Sequence, residues 1–365
     1  MSRRRMQAAR TATCANRDRG IAGFTLIELM VAMLLGLIVI GGVTSVFLAN
    51  QQVYRTNAAL GDVQDGTRMS FEMLAQNIRE AGLLGCGSNG QVANVLPQSP
   101  SNGGTAWWAD WNKSLVGYGT GTATANPALT VGTAAGNQVS GTDSLMILSA
   151  ADGGLSVNTQ TASTTTFTLN GSSSDLAANK VMIVCDPWEA AIFRASSYTP
   201  GTNPAIGYAL TSGSTTINVS INLRPYNTVG GLSPTYAANS PIATLAADVW
   251  YIGYNPVGNG STSLYQASVD TTTGTVTPQE MVRGVSAMNI TYNMANQTNF
   301  VPAASVTNWS SVVAVQVGLK VQQNSTANAG VSANAGVYTG TGTAAAAAPI
   351  YRTYTVTSTV RNRVN

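Results

Sequence analysis

Glu28 is the only carboxylate in an apolar run from Phe24 to Leu48, whose other clearly polar members are Thr25, Thr44 and Ser45. An ionised acid at the centre of a bilayer costs about 2.5–3.5 kcal/mol on insertion scales, so a carboxylate in such a segment needs a partner or a purpose. Cysteines supply the second reactive set. Cys14 lies in a basic N-terminal tail, while Cys86 and Cys185 lie in the remainder of the chain. In an oxidising compartment that even pair reads most simply as a disulfide closing about 100 residues, worth about 4–5 kcal/mol in the loop-entropy model. The alternative is two buried free thiols.

Composition excludes most other chemistry. The 365 residues contain no histidine, which removes Ser-His-Asp and Cys-His catalysis and every His-containing metal site. Two cysteines cannot make a four-cysteine zinc site, and no GxxxxGK[ST] occurs. The Gly-rich stretches lack the strand, helix and acidic residue of a dinucleotide fold. A calcium site would have to form on Asp152 or Asp186 with backbone carbonyls, and no EF-hand-like spacing supports one. We therefore expect no catalytic residue, no metal and no cofactor. Trp107, Trp108, Trp111 and Tyr118 form the densest aromatic cluster, which reads as packing at a helix–sheet junction or as an exposed binding anchor. Only Lys113 stands near it, too little for a platform stacking single-stranded DNA, so direct nucleic-acid binding is not expected.

The elements that position these residues follow from periodicity. Residues 24–48 give about 37 Å of helix, enough to span a bilayer with some tilt. The small-residue site precedes this apolar core instead of following it as in an ordinary signal peptide. Apolar residues then continue as Leu60, Val63, Phe71, Leu74 and Ile78 on one helical face, with no proline between Phe24 and Leu84. One helix over 24–84 is expected, with 24–48 transmembrane and 49–84 amphipathic and paired across its outer face through Asp65, Arg68 and Glu72. Gly82, Gly85 and Gly87 end it.

From residue 85 to 365 the texture becomes short apolar or alternating runs between Gly, Asn, Ser, Thr and Pro. Strands are expected at 144–149, 165–169, 180–185, 190–195, 216–219, 249–254, 263–267, 288–293, 312–321 and 351–360. They are too short and closely spaced for βαβ units. The fold class is α+β: a long N-terminal helix, membrane-spanning in its first half, packed on an antiparallel β-rich domain. Long loops are expected at about 117–141 and 324–349, the second containing five consecutive alanines.

The tail 1–23 carries six arginines against Asp18, which holds this end in the cytoplasm and sends everything after Leu48 outwards. Charged residues make up 9% of the chain, low beside the roughly 25% of an average globular protein. A surface of hydroxyls and amides suits an extracytoplasmic protein.

The octapeptide Gly23-Phe24-Thr25-Leu26-Ile27-Glu28-Leu29-Met30, behind its basic tail, resembles the class III signal of type IV prepilins. That resemblance implies a cytoplasmic leader 1–23 cleaved by prepilin peptidase after Gly23, and N-methylation of the new N-terminus Phe24. It also implies that Glu28, fifth residue of the mature chain, is the assembly contact that neutralises the Phe24 amine of a neighbouring subunit. Losing the leader takes the net charge from +3 to −2, with 12 basic and 14 acidic residues left. The order of later segments resembles PilW-type minor pilins: the helix end with Cys86, Gly141-Thr142-Asp143-Ser144-Leu145-Met146-Ile147, Trp250-Tyr251-Ile252-Gly253, Ser263-Leu264-Tyr265-Gln266, Gln279-Glu280-Met281-Val282-Arg283-Gly284-Val285, Val312 to Val317 and the ending Val360-Arg361-Asn362.

This second resemblance implies a low-abundance subunit that primes pilus assembly and sits at or near the tip, in support of twitching motility, adhesion or DNA uptake. Its partners would be other minor pilins, the major pilin, the peptidase, the inner-membrane assembly platform and, before assembly, membrane lipid. The protein would start as a single-pass inner-membrane protein with its head in the periplasm and end in the pilus at the cell surface. The signal, helix and β-rich domain are also shared by J-type minor pseudopilins of type II secretion, and the loop-rich region leaves open a pilus-tip adhesin or DNA receptor.

Overall fold

The computed structural model describes residues 25–86, 91–119, 127–223, 235–257, 260–322 and 351–360. The chain falls into two compact units, 1–54 and 55–365. A single helix, α1 (Leu26–Glu80), is the long element of both. It stops short of residue 84 because Gly82 turns into the left-handed region at φ 71°, where a glycine meets no Cβ penalty. Ala81 and Leu84 remain buried, so apolar spacing outlasts the helix.

The strands are β1 (Gln91–Asn94), β2 (Leu115–Tyr118), β3 (Ser144–Thr161), β4 (Thr166–Leu169), β5 (Val181–Cys185), β6 (Glu189–Arg194), β7 (Ser197–Thr199) and β8 (Ala205–Gly207). There follow β9 (Thr211–Ser212), β10 (Thr215–Thr216), β11 (Pro241–Tyr254), β12 (Thr262–Asp270), β13 (Thr275–Arg283), β14 (Val285–Met294), β15 (Val301–Pro302), β16 (Val312–Gln322) and β17 (Tyr351–Thr359). An eleven-stranded sheet runs β1-β6-β5-β11-β3-β4-β8-β7, with β2 on β3 and with β12 and β13 branching from β11. All its pairs are antiparallel except β1 with β6. The hub is β11, which pairs β3 over Pro241–Trp250, β5 near Ile242–Thr244 and β12 over Asp248–Tyr254. A second, four-stranded antiparallel sheet has the order β15-β14-β16-β17.

Two strands owe their unbroken apolar runs to burial on both faces. Leu145 and Ile147 of β3, with Trp250 and Ile252 of β11, face a core shared with α1 and the four-stranded sheet. Met146 and Leu148, with Val249 and Tyr251, face a second core on the other side. A third, aromatic core gathers Phe167, Phe193, Tyr208 and Tyr236.

Several expected strands are longer here, since β3 and β11 extend into polar and small residues beyond 149 and before 249. The expected strand at 216–219 shrinks to the two-residue β9–β10 pairing. The reason lies in Asn218, whose buried amide substitutes for ladder partners. Its Oδ1 accepts from the Arg194 N–H at 2.8 Å and its Nδ2 donates to the Arg194 and Ala209 carbonyls, both at 2.9 Å. Strand β13 has no counterpart among the expected strands. It is an edge strand holding Pro278, exposed or half-buried except at Val282, and so shows no alternation. The loop expected at 117–141 begins later than its first residues, which complete β2, and 120–126 and 324–349 lie outside the described residues.

Candidate functional site

Two sets of residues carry the functional expectations, one in each unit. Gly23 and Phe24 lie outside the described residues. Glu28 sits in the first turn of α1, where a carboxylate complements the positive end of the helix dipole. Thr25 starts that turn: its hydroxyl accepts from the Glu28 N–H at 3.3 Å, and its carbonyl accepts from the Glu28 and Leu29 N–H groups at 3.0 and 3.2 Å. Thr25 and Glu28 thus have the spacing of an N-cap and its third helical residue. Glu28 is exposed, as is the apolar span Leu26–Gln51 apart from the half-exposed Gly36, and no residue of the span is buried.

In that span the two hydroxyls satisfy themselves internally. Thr44 Oγ1 donates to the Ile40 carbonyl at 2.7 Å and Ser45 Oγ to the Gly42 carbonyl at 2.8 Å. Hydroxyls closed onto the helix backbone suit a segment surrounded by lipid or by other helices. A Cβ at Gly36, Gly41 or Gly42 would meet nothing within 4 Å. Among the described residues no contact calls for glycine there.

In the second unit the end of α1 is built in. Val63, Thr67, Ser70, Leu74 and Ile78 form its buried stripe, which Ala81 continues just past the helix end. Thr67 and Ser70 donate their hydroxyls back to the Val63 and Gly66 carbonyls at 2.6 and 2.7 Å, which lets polar residues enter the stripe. On the outer face Arg68 and Glu72 pair at 2.8 Å with both side chains largely exposed, so solvent screens the contact and it adds little to stability.

Past the helix, Cys86 and Cys185 are joined by a disulfide with Cα atoms 6.0 Å apart. The link ties the segment leaving α1 to the C-terminal end of β5. Immediately after Cys185 comes a hairpin turn to β6. In it the Asp186 carboxylate accepts from both the Trp188 and Glu189 N–H groups at 2.9 Å, while the Asp186 N–H donates to the Glu189 carbonyl at 2.9 Å. Asp186, considered above for calcium, thus spends one oxygen on its own turn. Trp188 at the tip is 81% exposed. Sequence reasoning passed over it, although the Asp186-Pro187 dipeptide between two apolar runs marks a turn.

The aromatic cluster is mostly packing. Trp108 is buried in the second core, with Trp107, Trp111 and Tyr118 half-buried against it. The Arg194 guanidinium lies over Trp108, 5.8 Å from the ring centroid, and donates to the Asn179 and Thr272 carbonyls. Burial lowers its pKa, with the Asp270 charge opposing. Trp111 also lines a 490 Å³ cleft together with Trp309 and the helix-ending Gly82.

Asp143, in the segment 141–147, joins the two sheets. Its N–H donates to the Met288 carbonyl at 3.2 Å and its carboxylate accepts from the Ile290 N–H at 2.7 Å. Burial pushes its pKa up, and the Ile290 N–H partly offsets this. Beside it the buried Tyr292 hydroxyl occupies the space left by Gly117, where any Cβ would overlap it. This is the close approach that fixes glycine at that position.

Residues 249–363 match the family described as type IV pilus-assembly protein W, and residues 18–44 match the prokaryotic N-terminal methylation motif. Together the two matches support a PilW-type, type IV pilin-like protein. The first match runs from the second half of β11 to beyond β17, so it takes in the whole four-stranded sheet. The second covers the octapeptide and most of the apolar span. No curated protein and no solved structure matches the chain. The two matches support a structural, minor-pilin role in the type IV pilus. One apolar N-terminal helix behind a prepilin-type motif fits a single-pass inner-membrane anchor.

Proposed function

We propose that this minor pilin primes assembly of a type IV pilus and sits at or near the tip of the filament. Prepilin peptidase removes residues 1–23, Phe24 is N-methylated, and the β-rich head faces the periplasm until the subunit is drawn into the filament. There Glu28 neutralises the Phe24 amine of a neighbouring subunit. Both charges leave the lipid together, and the pairing sets the axial register of one subunit against the next. The observation that carries this reading is the co-occurrence on one chain of the methylation motif and the PilW segment. Glu28 supports it too, because it stands exposed in an apolar first turn with no side-chain partner of its own among the described residues.

A clean deletion tests it, scored in one strain for surface pili with twitching and for secretion of exoproteins. Loss of pili with secretion intact is expected. Intact pili with failed secretion would move the protein to type II secretion.

A further inference from the structure

We propose that the cleft between the short 3-10 turns Trp111–Lys113 and Trp309–Ser311 is a binding site for a neutral saccharide. Its 490 Å³ lies within the range of small-ligand sites, about 300–1,000 Å³, and has room for a mono- or disaccharide. A pyranose ring presents an apolar face of C–H groups and a rim of hydroxyls that each donate and accept. The complementary surface sets an indole beside uncharged donors and acceptors. Trp111 and Trp309 both line this cleft, and both are half-buried. Trp309 stands edge-on to Tyr292 with ring centroids 4.9 Å apart, and Trp111 packs on the second core. Neither indole has to be ordered by the ligand, so little of the contact energy is lost to fixing them.

The polar lining has hydrogen-bonding capacity left over. Asn112 Nδ2 donates to Ser101 Oγ at 3.5 Å, which leaves Asn112 Oδ1 without a partner among the described residues. Asn308 is the opposite case. Its Oδ1 accepts from the Ser310 N–H and hydroxyl at 3.0 and 2.7 Å, while its Nδ2 is unpaired among the described residues. The Trp111 Nε1–H and the Thr307 hydroxyl are likewise unpaired there. The lining residues thus hold an acceptor, two donors and a hydroxyl that can be either. A purely apolar guest would strip water from these groups and give nothing back. Lys113 is the one charged residue in the lining, and it pairs with the Asp110 carboxylate at 3.5 Å. With that charge balanced, the cleft selects neither an anion nor a cation. No carboxylate lines it, so the acid pair that glycoside cleavage requires is missing from it and the sugar is bound without being cut.

The test presents the full chain in detergent to an array of immobilised hexoses, N-acetylhexosamines, their disaccharides and acidic sugars, then titrates the best binder as a free sugar by calorimetry. Saturable binding of a neutral sugar is expected. Trp111→Ala should weaken it at least about tenfold. Asn112→Ala and Thr307→Ala, both at exposed positions, should keep the thermal melt of the wild type and each weaken binding by about three- to tenfold, the loss of one hydrogen bond. No binding across the array, a preference for acidic over neutral sugars, or wild-type affinity in all three variants overturns the proposal. A second arm separates the sources of such a sugar. Capture by whole cells of another species assigns the cleft to adhesion, and capture by polysaccharide from the cell's own envelope assigns it to contact with that envelope.

Discussion

At the scale of single residues, the N-terminal motif and the buried acids make opposite kinds of demand. Gly23 is needed for its small size at the proposed cleavage point, so Gly23→Phe should leave the protein at precursor mass on a gel; normal processing of that variant would defeat the assignment. Glu28→Ala should insert and be processed as usual, since removing a carboxylate makes the span more apolar, yet lower surface piliation severalfold. Unchanged piliation would argue against the register role. Asp143 makes a demand of stability. Its folded pKa is raised by burial, so the native state holds a proton that the unfolded chain has released, and stability falls as pH rises from the ordinary carboxylate range through the raised value. Asp248 is shifted the same way by burial. Asp143→Asn keeps an acceptor for the Ile290 N–H and should flatten that part of the pH profile, read as melting temperature against pH. A variant with the wild-type slope would show that Asp143 does not carry it.

At the scale of elements, the buried stripe of α1 and the disulfide hold the helix end to the head by different physics. Leu74 and Ile78 are each 1% exposed. Truncation of either to alanine should destabilise the head by about 2–5 kcal/mol, whereas Arg68→Ala on the outer face should leave the melt close to wild type. The pair Cys86→Ser and Cys185→Ser removes a cross-link spanning 99 residues and should cost about 2–5 kcal/mol, both series being read by denaturant melts. Equal effects at Leu74 and Arg68 would mean that the stripe is not load-carrying. How far these elements are legible in the sequence depends on burial. The strands around Leu145–Leu148 and Val249–Ile252 announce themselves because two cores claim both faces. Strand β13 is silent because little of it is buried, and residues 216–219 mislead because a buried Asn218 imitates a strand's hydrogen bonds. The helix is legible to within a few residues, and its end is overshot because Ala81, past the last helical residue, and Leu84, past the turn at Gly82, keep the apolar spacing. In the candidate site, Glu28 and the cysteines are visible from composition alone. Trp188 is not, since exposure of a lone aromatic depends on a turn geometry that a linear pattern does not encode.

At the scale of the whole molecule, charge is the property that the proposed removal of residues 1–23 would change most. The full chain has a net charge of +3 and a calculated pI near 8.8, which taken alone would invite a reading as a nucleic-acid or anionic-surface binder. Six of its 18 basic residues lie within the first 23 positions, against one acid, and without them the balance is −2. With no histidine to buffer the neutral range, the crossing point of the shortened chain would move well down, and the proposed N-methylation would leave the sign of the new amine unchanged. Isoelectric focusing therefore reports cleavage at the level of the molecule. The protein recovered from sheared filaments should focus on the acid side of neutrality, while Gly23→Phe protein from membranes should stay basic. A filament-borne form focusing near 8.8 would mean that the arginine-rich segment is retained, and that the apolar helix begins behind a charged tail which no pilus core can bury.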